Sequence, residues 1–461
     1  MSKKPNIIFM IADDHRFSDI HALYNPLVQT PVLDRLAGQG VSFANTHIMG
    51  GQYKAVCTPC RAAVLTGGHA FNAVSNKPES RVDEPLVNHT DINPRMALMP
   101  ELFKQAGYTT HAIGKWHNDM ESFNKGFTGG ESLLFRGMAI QDQMPLHAFN
   151  PEGVYPLEDA VVNDQFSTNI FCDSAIRFIE KQEEDQPFFM YVAFTSPHDP
   201  RTAPKEYADM YDPHDIPLPK NFMPVHPFDN GEMFVRDEQL ASLPRVPAEI
   251  CRHIADYYAM VTHMDAQMGR VLEALESKGL ADNTIVVYTS DHGLSVGQHG
   301  LMGKQNLYDH SIRIPLIVRG PGLPENVRVD ALTCQMDIFP TLCDLSGIPI
   351  PQTVDGKSML PLLREDKEPL YNSVFAIYKD VQRMVRTDDW KLIKYYRSDI
   401  RVAGTDTLQL FNMKEDPWEI NNLVSHPDHT SMVEQLLQQM DEWQNAVNDP
   451  LISITDRENH I

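Results

Sequence analysis

Four apolar runs in this sequence each end in residues able to do chemistry. Residues 6–12 run into Asp13-Asp14, 108–113 into Gly114-Lys115-Trp116-His117, 188–195 into Ser196-Pro197-His198-Asp199, and 284–290 into Asp291-His292-Gly293. In an open α/β sheet the ligand crevice lies beyond the carboxyl ends of the strands. Four separate loops can therefore deliver carboxylates, histidines and a lysine to one place. Asp13, Asp14 and Asp291 can share a small space only with a compensating cation, because neighbouring like charges raise one another's pKa. Hard oxygen ligands favour Ca²⁺ or Mg²⁺, and His292 is the member that would admit a softer metal.

A fifth candidate is Cys57-Thr58-Pro59-Cys60. C-x-x-C alone suggests a redox dithiol or half a zinc site. Zinc needs a second ligand pair at suitable spacing, and the sequence shows no other C-x-x-C and no nearby Cys/His pair. A thioredoxin-like motif would follow an early strand, whereas this one follows a glycine-containing loop, 49–56. Pro59 can start a helix that continues through 61–65 and ends at Thr66-Gly67. Cys57 then stands at a helix N-terminus, where negative charge is favoured.

The elements that must position these residues follow from periodicity. Apolar strand-like runs alternate with helical patterns, which implies a parallel sheet covered by helices on both faces. Thr30-Pro31 opens a helix stopped by Gly38 and Gly40, with Thr30 as its N-cap, and Pro100 opens another. Residues 167–183 form a third. Ile250, Ile254, Tyr257, Val261, Met264, Met268, Val271 and Leu275 make one apolar stripe of a long core helix, and 314–318 reads as a strand. The stretch from Pro349 to about Leu370 is rich in proline and charge and reads as a linker. Beyond it 374–378, 382–386, 390–396 and 408–411 read as short strands joined by tight turns, followed by an amphipathic helix over 431–447. The expected fold is therefore α/β: a large, mixed, mostly parallel sheet sandwiched by helices (1–350), a linker (351–370), and a smaller C-terminal α+β domain (371–461). The long stretches 120–165 and 197–247 read mostly as loops, the natural walls of a pocket.

Composition narrows the function. The chain has 461 residues, with 39 Lys+Arg against 62 Asp+Glu, a formal net charge of −23. Such a surface repels phosphate backbones, so no nucleic-acid partner is expected. An anionic substrate would need positive charge concentrated locally. Six cysteines in a chain this long are no disulfide framework. The apolar run 7–12 is too short for a signal peptide and is followed by Asp13-Asp14; no stretch reaches transmembrane length. As numbered, the chain is expected to be cytoplasmic and not membrane-bound, or periplasmic if a leader was removed.

Cys57-Thr58-Pro59-Cys60-Arg61 through Thr66-Gly67 resembles the C-x-P-x-R-x-x-x-x-T-G signature of the sulfatases, within the alkaline phosphatase superfamily. Residues 6–14, GKWH at 114–117, SPH at 196–198 and SDHG at 290–293 resemble that family's further motifs in order. Residues 336–342 and 410–423 resemble two of its later segments. The resemblance implies that Cys57 is oxidised to formylglycine by a maturation enzyme, its hydrate serving as the nucleophile. Asp13, Asp14, Asp291 and His292, with the modified Cys57, would bind one Ca²⁺. Arg61 would hold the diol, Lys115 would bind it and the sulfate, His198 and Lys304 would assist the leaving group, and His117 would take the proton that lets the aldehyde reform. His292 and Lys304 are similar to those of glycan sulfatases of the iduronate type, which implies a sulfated sugar as substrate. Cys60, where the family usually has a small residue, is expected to be a packed thiol. His15, Arg16, His299 and His310 flank the motifs and are expected behind the pocket or on loop surface. The rival expectations are a phosphonate monoester or phosphodiester hydrolase of the same superfamily, and a non-catalytic binder of sulfated glycans.

Overall fold

The computed structural model describes residues 3–75, 91–183, 185–364, 368–398 and 403–452. Its principal element is a nine-stranded sheet. At its centre Asn6–Ala12 lies between Thr284–Ser290 and Phe188–Ala193, and Thr109–Lys115 and Gly129–Leu134 continue outward, all parallel. Their carboxyl ends therefore share one edge. On the other side Leu316–Arg319 pairs antiparallel with Thr284–Ser290 and with Val41–His47, and Val327–Cys334 runs parallel to Val41–His47.

The central strands read as nearly continuous apolar runs because both faces are covered. Alternate residues point to opposite layers. Ile7, Phe9 and Ile11 pack with Phe189 and Tyr191 against the helices Cys57–Thr66, Met99–Gln105 and Ile338–Leu345. Ile8 and Met10 pack with Met190 and Val192 against Pro31–Gly38, Ser167–Glu180 and Pro247–Ser277. The stripe from Ile250 to Leu275 is buried along Pro247–Ser277 as expected; Met264, Met268, Val271 and Leu275 meet the sheet, while Ile250, Ile254, Tyr257 and Val261 join a neighbouring cluster.

Several local expectations needed correction. Thr30 gives no side-chain cap to Pro31–Gly38. Asp265, from the long helix, accepts from the backbone N–H groups of Val32 (2.9 Å) and Leu33 (2.8 Å) instead, because a buried carboxylate serves two orphan donors at once. The single strand over 314–318 is broken at Pro315, which has no N–H to give a ladder, into Arg313–Ile314 and Leu316–Arg319. The stretch 120–165 contains the helix Met120–Gly126 and the edge strand Gly129–Leu134. Within the proline-rich stretch 349–370, Met359 and Leu362 are buried in the main core.

A second sheet has five strands in the order Thr407–Asn412, Trp390–Tyr395, Gln382–Arg386, Val374–Tyr378 and Gly50–Gly51. Its four C-terminal strands are antiparallel, with Thr430–Ala446 packed on them. The fifth comes from far upstream: Gly50 pairs with Ile377 just before the helix that carries Cys57. At Gly50 φ is +76°, and an added Cβ would lie 2.2 Å from the Ile377 carbonyl oxygen, so only glycine allows this contact. Among the described residues no helix is long and apolar enough to cross a membrane.

Candidate active site

The register of the central strands places the chemistry. Ala12 lies beside Ser290, the Asp291 N–H donates to the Ala12 carbonyl (3.1 Å), and the Asp13 N–H donates to the Ser196 carbonyl (3.1 Å). Three strand ends are thereby tied together at the level where the acidic residues begin. Asp14 and His117 both have positive φ, 71° and 64°. Such backbone conformations in non-glycine residues persist where surrounding structure imposes them, often at functional sites.

All eleven ligand and catalytic assignments fall at one end of the sheet on ten residues. Suitable donor atoms of Asp13, Cys57, Asp291 and His292 lie within 4.8 Å of one another, and so do those of Asp13, Asp14 and His198. Lys115 Nζ donates to Asp13 Oδ2 (2.5 Å), Lys304 Nζ to Asp14 Oδ1 (2.8 Å), and Arg61 Nε to Asp291 Oδ2 (3.0 Å). Three buried carboxylates thus face three permanent cations. Burial alone would push the Asp14 carboxyl up, but Lys304, His198 and His292 outweigh it and hold it below its ordinary value. Burial likewise opposes the charge on Lys304, yet Asp14 and its acidic neighbours raise the ammonium well above its usual range. Desolvation disfavours the imidazolium of His292, but Asp291 and Asp14 together lift it to about 9.

The donors fit a hard divalent cation. Asp13 Oδ1 is buried without a hydrogen-bond partner, a lone pair that a metal would satisfy. His292 Nδ1 lies 3.0 Å from the Gly293 carbonyl oxygen, which can only accept. The ring proton therefore sits on Nδ1, and the neutral imidazole presents Nε2 to the cluster. Protons and a cation compete for that nitrogen.

Cys57 begins the helix Cys57–Thr66, every residue of which is buried. Gly67, at φ 64°, ends it by donating to the Ala63 carbonyl, as the Thr66-Gly67 pattern implied. Cys57, His117, His198 and Lys304 line a cleft of about 810 Å³ whose mouth is formed largely by the segment 229–237. Cys60 faces away, 1% exposed among Ile48, Val56 and Tyr378, and burial pushes its thiol well up. That is a packed thiol. His15, Arg16, His299 and His310 are all buried and none lines the cleft, so the loop-surface alternative does not hold. His299 stacks on Tyr308 at 3.7 Å, and Arg16 pairs with Asp19. Residues missing from the sequence reading include Gln335, whose Nε2 donates to the Ser290 carbonyl (2.9 Å), and Gly137, close against the His117 ring. Neither lies in a motif with chemical spacing.

The family model described as Sulfatase matches residues 5–348. The chain belongs to the sulfatase family. It is a sulfuric ester hydrolase, and a second model, N-sulphoglucosamine sulphohydrolase, C-terminal, matches residues 297–446 of the same sulfatase. An N-acetylglucosamine-6-O-sulfatase of Bacteroides thetaiotaomicron is 28% identical, covering 97% of this chain and 88% of the relative. A solved structure described as a complex with its substrate D-glucosamine-2-N,6-O-disulfate superposes with a TM-score of 0.79 at 25% identity, over 97% of this chain and 99% of that one. The phosphonate monoester hydrolase of Agrobacterium radiobacter, at 20% identity and a TM-score of 0.74 over 96% of each chain, shares the fold.

Proposed function

We propose that this sulfatase releases inorganic sulfate from a small sulfated sugar, with Cys57 matured to formylglycine and one Ca²⁺ held by Asp13, Asp14, Asp291 and His292 beside it. The observation that carries the reading is the convergence of Cys57 with three carboxylates and three permanent cations at the buried floor of an open cleft. The formylglycine hydrate supplies the attacking oxygen, and the calcium ion, when bound, polarises a sulfate oxygen. The chain's own residues do the rest. Arg61 fixes Asp291 and, through Nη1, the Lys115 carbonyl (3.1 Å), so the diol and the sulfate meet a preset array of charge. Lys115 carries positive charge to the sulfate oxygens, and Lys304 carries it to the bridging oxygen beside His198. His198 holds its Nδ1 proton on the Asp199 carbonyl at 2.7 Å, which turns Nε2 inward, towards Asp14 at 3.9 Å, as the group that protonates a departing alkoxide. His117, on a different strand end, takes the proton whose loss lets the aldehyde reform and expels sulfate.

The sugar assignment is supported by the names of the relatives and by the cleft, whose volume suits a mono- or disaccharide. Mass spectrometry of the Cys57 peptide from protein made with a formylglycine-generating maturation enzyme tests the nucleophile. An aldehyde there, with sulfate released from sugar sulfates, is the expected result; a persistent thiol in an active preparation would overturn it. Turnover of a phosphonate monoester exceeding that of any sulfate ester would favour the superfamily rival.

A further inference from the structure

The mouth of the cleft holds positive charge that the proposed reaction does not use. Arg236 lines it with its side chain 47% exposed. Its guanidinium is nevertheless fixed. Nη1 donates to Asp199 Oδ1 (3.3 Å) and Asp237 Oδ1 (2.9 Å), and Nη2 donates to Asp199 Oδ2. A guanidinium has five N–H donors, so this clamp leaves Nε–H and one Nη2–H without an acceptor among the described residues. Asp199 itself is buried behind the wall, with a side chain 7% exposed. Its backbone carbonyl takes the Nδ1 proton of His198. One residue thus sets both the orientation of Arg236 and that of the histidine that faces the reaction centre.

A second cation stands on the same mouth. Lys54 is exposed, lines the cleft, and has no ion-pair partner among the described residues. Asp229, Glu232 and Asp237 also line the entrance, where Lys379 pairs with Glu232 and Arg236 with Asp199 and Asp237. What the mouth offers an anion is therefore that lysine and the open N–H groups of a fixed guanidinium, and not a net positive field. Beside them Phe234 is 83% exposed, an aromatic face of the kind that covers the apolar side of a sugar ring. The sulfate undergoing cleavage belongs at the cleft floor with Cys57, Lys115 and Lys304, so the reaction proposed above does not use Arg236 or Lys54.

We infer that Arg236, assisted by Lys54, is a specificity determinant that binds a second anionic group of the substrate, so that the preferred substrate is a sugar carrying another sulfate or a carboxylate besides the ester that is cleaved. Asp199 is a positioning residue: it holds the guanidinium in register with His198, and hence the second anion in register with the departing oxygen. This inference rests on the sugar-sulfate reading above.

The test compares kcat/KM for three sugars sharing one scissile sulfate: one with no other charge, one with a second sulfate, and one with a carboxylate. Nitrophenyl sulfate serves as reference. Wild-type enzyme is expected to prefer one or both dianionic sugars, and raised salt should shrink that preference. Arg236→Gln should reduce the preference by about tenfold to a hundredfold, the worth of a charge-assisted hydrogen bond, chiefly through KM. Arg236→Lys should retain part of it, and Lys54→Ala should lower it further. Asp199→Asn keeps the backbone carbonyl that holds His198 but weakens the carboxylate clamp on the guanidinium, so it should reduce the dianion preference in the same direction as Arg236→Gln. If Arg236→Gln fails to fold, Arg236→Lys and the exposed Lys54→Ala still report. No preference in the wild type, or equal losses on charged and uncharged sugars, would overturn the inference while leaving the sugar-sulfate reading intact. Cleavage of nitrophenyl sulfate with none of any sugar sulfate would overturn both.

Discussion

Replacing Arg61 with methionine separates two effects of one guanidinium: it neutralises buried carboxylates in the folded chain, and it competes for them with a bound cation. Arg61 is fully buried, with Nε 3.0 Å from Asp291 Oδ2 and Nη2 3.9 Å from Asp13 Oδ1. Methionine fills much of the space and leaves Asp291 without that partner. Removing one side of a buried ion pair costs about 3–5 kcal/mol. At about 2.1 cal/mol/K per residue, the unfolding entropy of 461 residues is about 1 kcal/mol/K. In chelator the melting temperature should therefore fall by about 3–5 °C. Calcium should narrow the gap. Three carboxylates then face two permanent cations, so the variant should bind Ca²⁺ more tightly and gain more from it, following RT ln(1 + [Ca²⁺]/Kd). Thermal unfolding in chelator and across a calcium titration measures both effects, and sulfate release, expected to be lost, is recorded alongside. An unchanged melting temperature in chelator, or a calcium-induced rise smaller than that of the wild type, would refute the reasoning.

His198→Ala should cost about 10²–10⁴-fold in kcat/KM on a sugar sulfate and far less on nitrophenyl sulfate; equal losses would make Lys304 the better acid. His117→Ala should instead stall both substrates after one turnover, seen as a burst of released alcohol. Gly137→Ala would place a Cβ 2.8 Å from His117 Nε2, so the ring must swing, and the variant should reproduce the His117→Ala kinetics in milder form with KM unchanged. Asp449→Asn addresses stability outside the site. Asp449 accepts from Arg383 Nε and Nη2 at 2.5 and 2.8 Å, and although burial pushes its carboxyl up, Arg383 outweighs it and holds the group below its ordinary value. A depressed folded-state pKa stabilises above the ordinary carboxylate range and is lost as pH falls through the folded value. The variant should thus be about 3 kcal/mol less stable at pH 7 in denaturant melts, with the gap narrowing below about pH 4.

How much of the site was legible follows from where its residues sit. Asp13-Asp14, Lys115, His198 and Asp291-His292 directly end or closely follow apolar runs, so period and position alone proposed that they meet. Cys57 and Arg61 lie about one turn apart on one helix, marked by Pro59 in its first turn and Gly67 at its end. Lys304 has no such local marker; only its resemblance to a family position suggested it, and it reaches Asp14 across 290 residues of chain. Arg236 and Gly137 were not legible at all, because nothing in a loop's composition says which side of a cleft it will line; Asp199 stood out as part of a strand end, but its hold on Arg236 did not.

The sequence by itself determined the parallel core, the helices on its two faces, the C-terminal antiparallel strands and the carboxylate-bearing strand ends, because each is written in local periodicity and in what may follow a buried strand. Tertiary structure alone decided the rest. Strand order brought three of those ends side by side, Asp265 displaced Thr30 as the cap of a helix, and Pro315 split a strand between two partners. The Gly50–Gly51 strand joined a sheet more than three hundred residues downstream, which fixes the approach to Cys57 against the C-terminal strands. Such pairings have no local signature, since the energy that selects them comes from long-range burial and from hydrogen bonds between segments that meet only once the chain has folded.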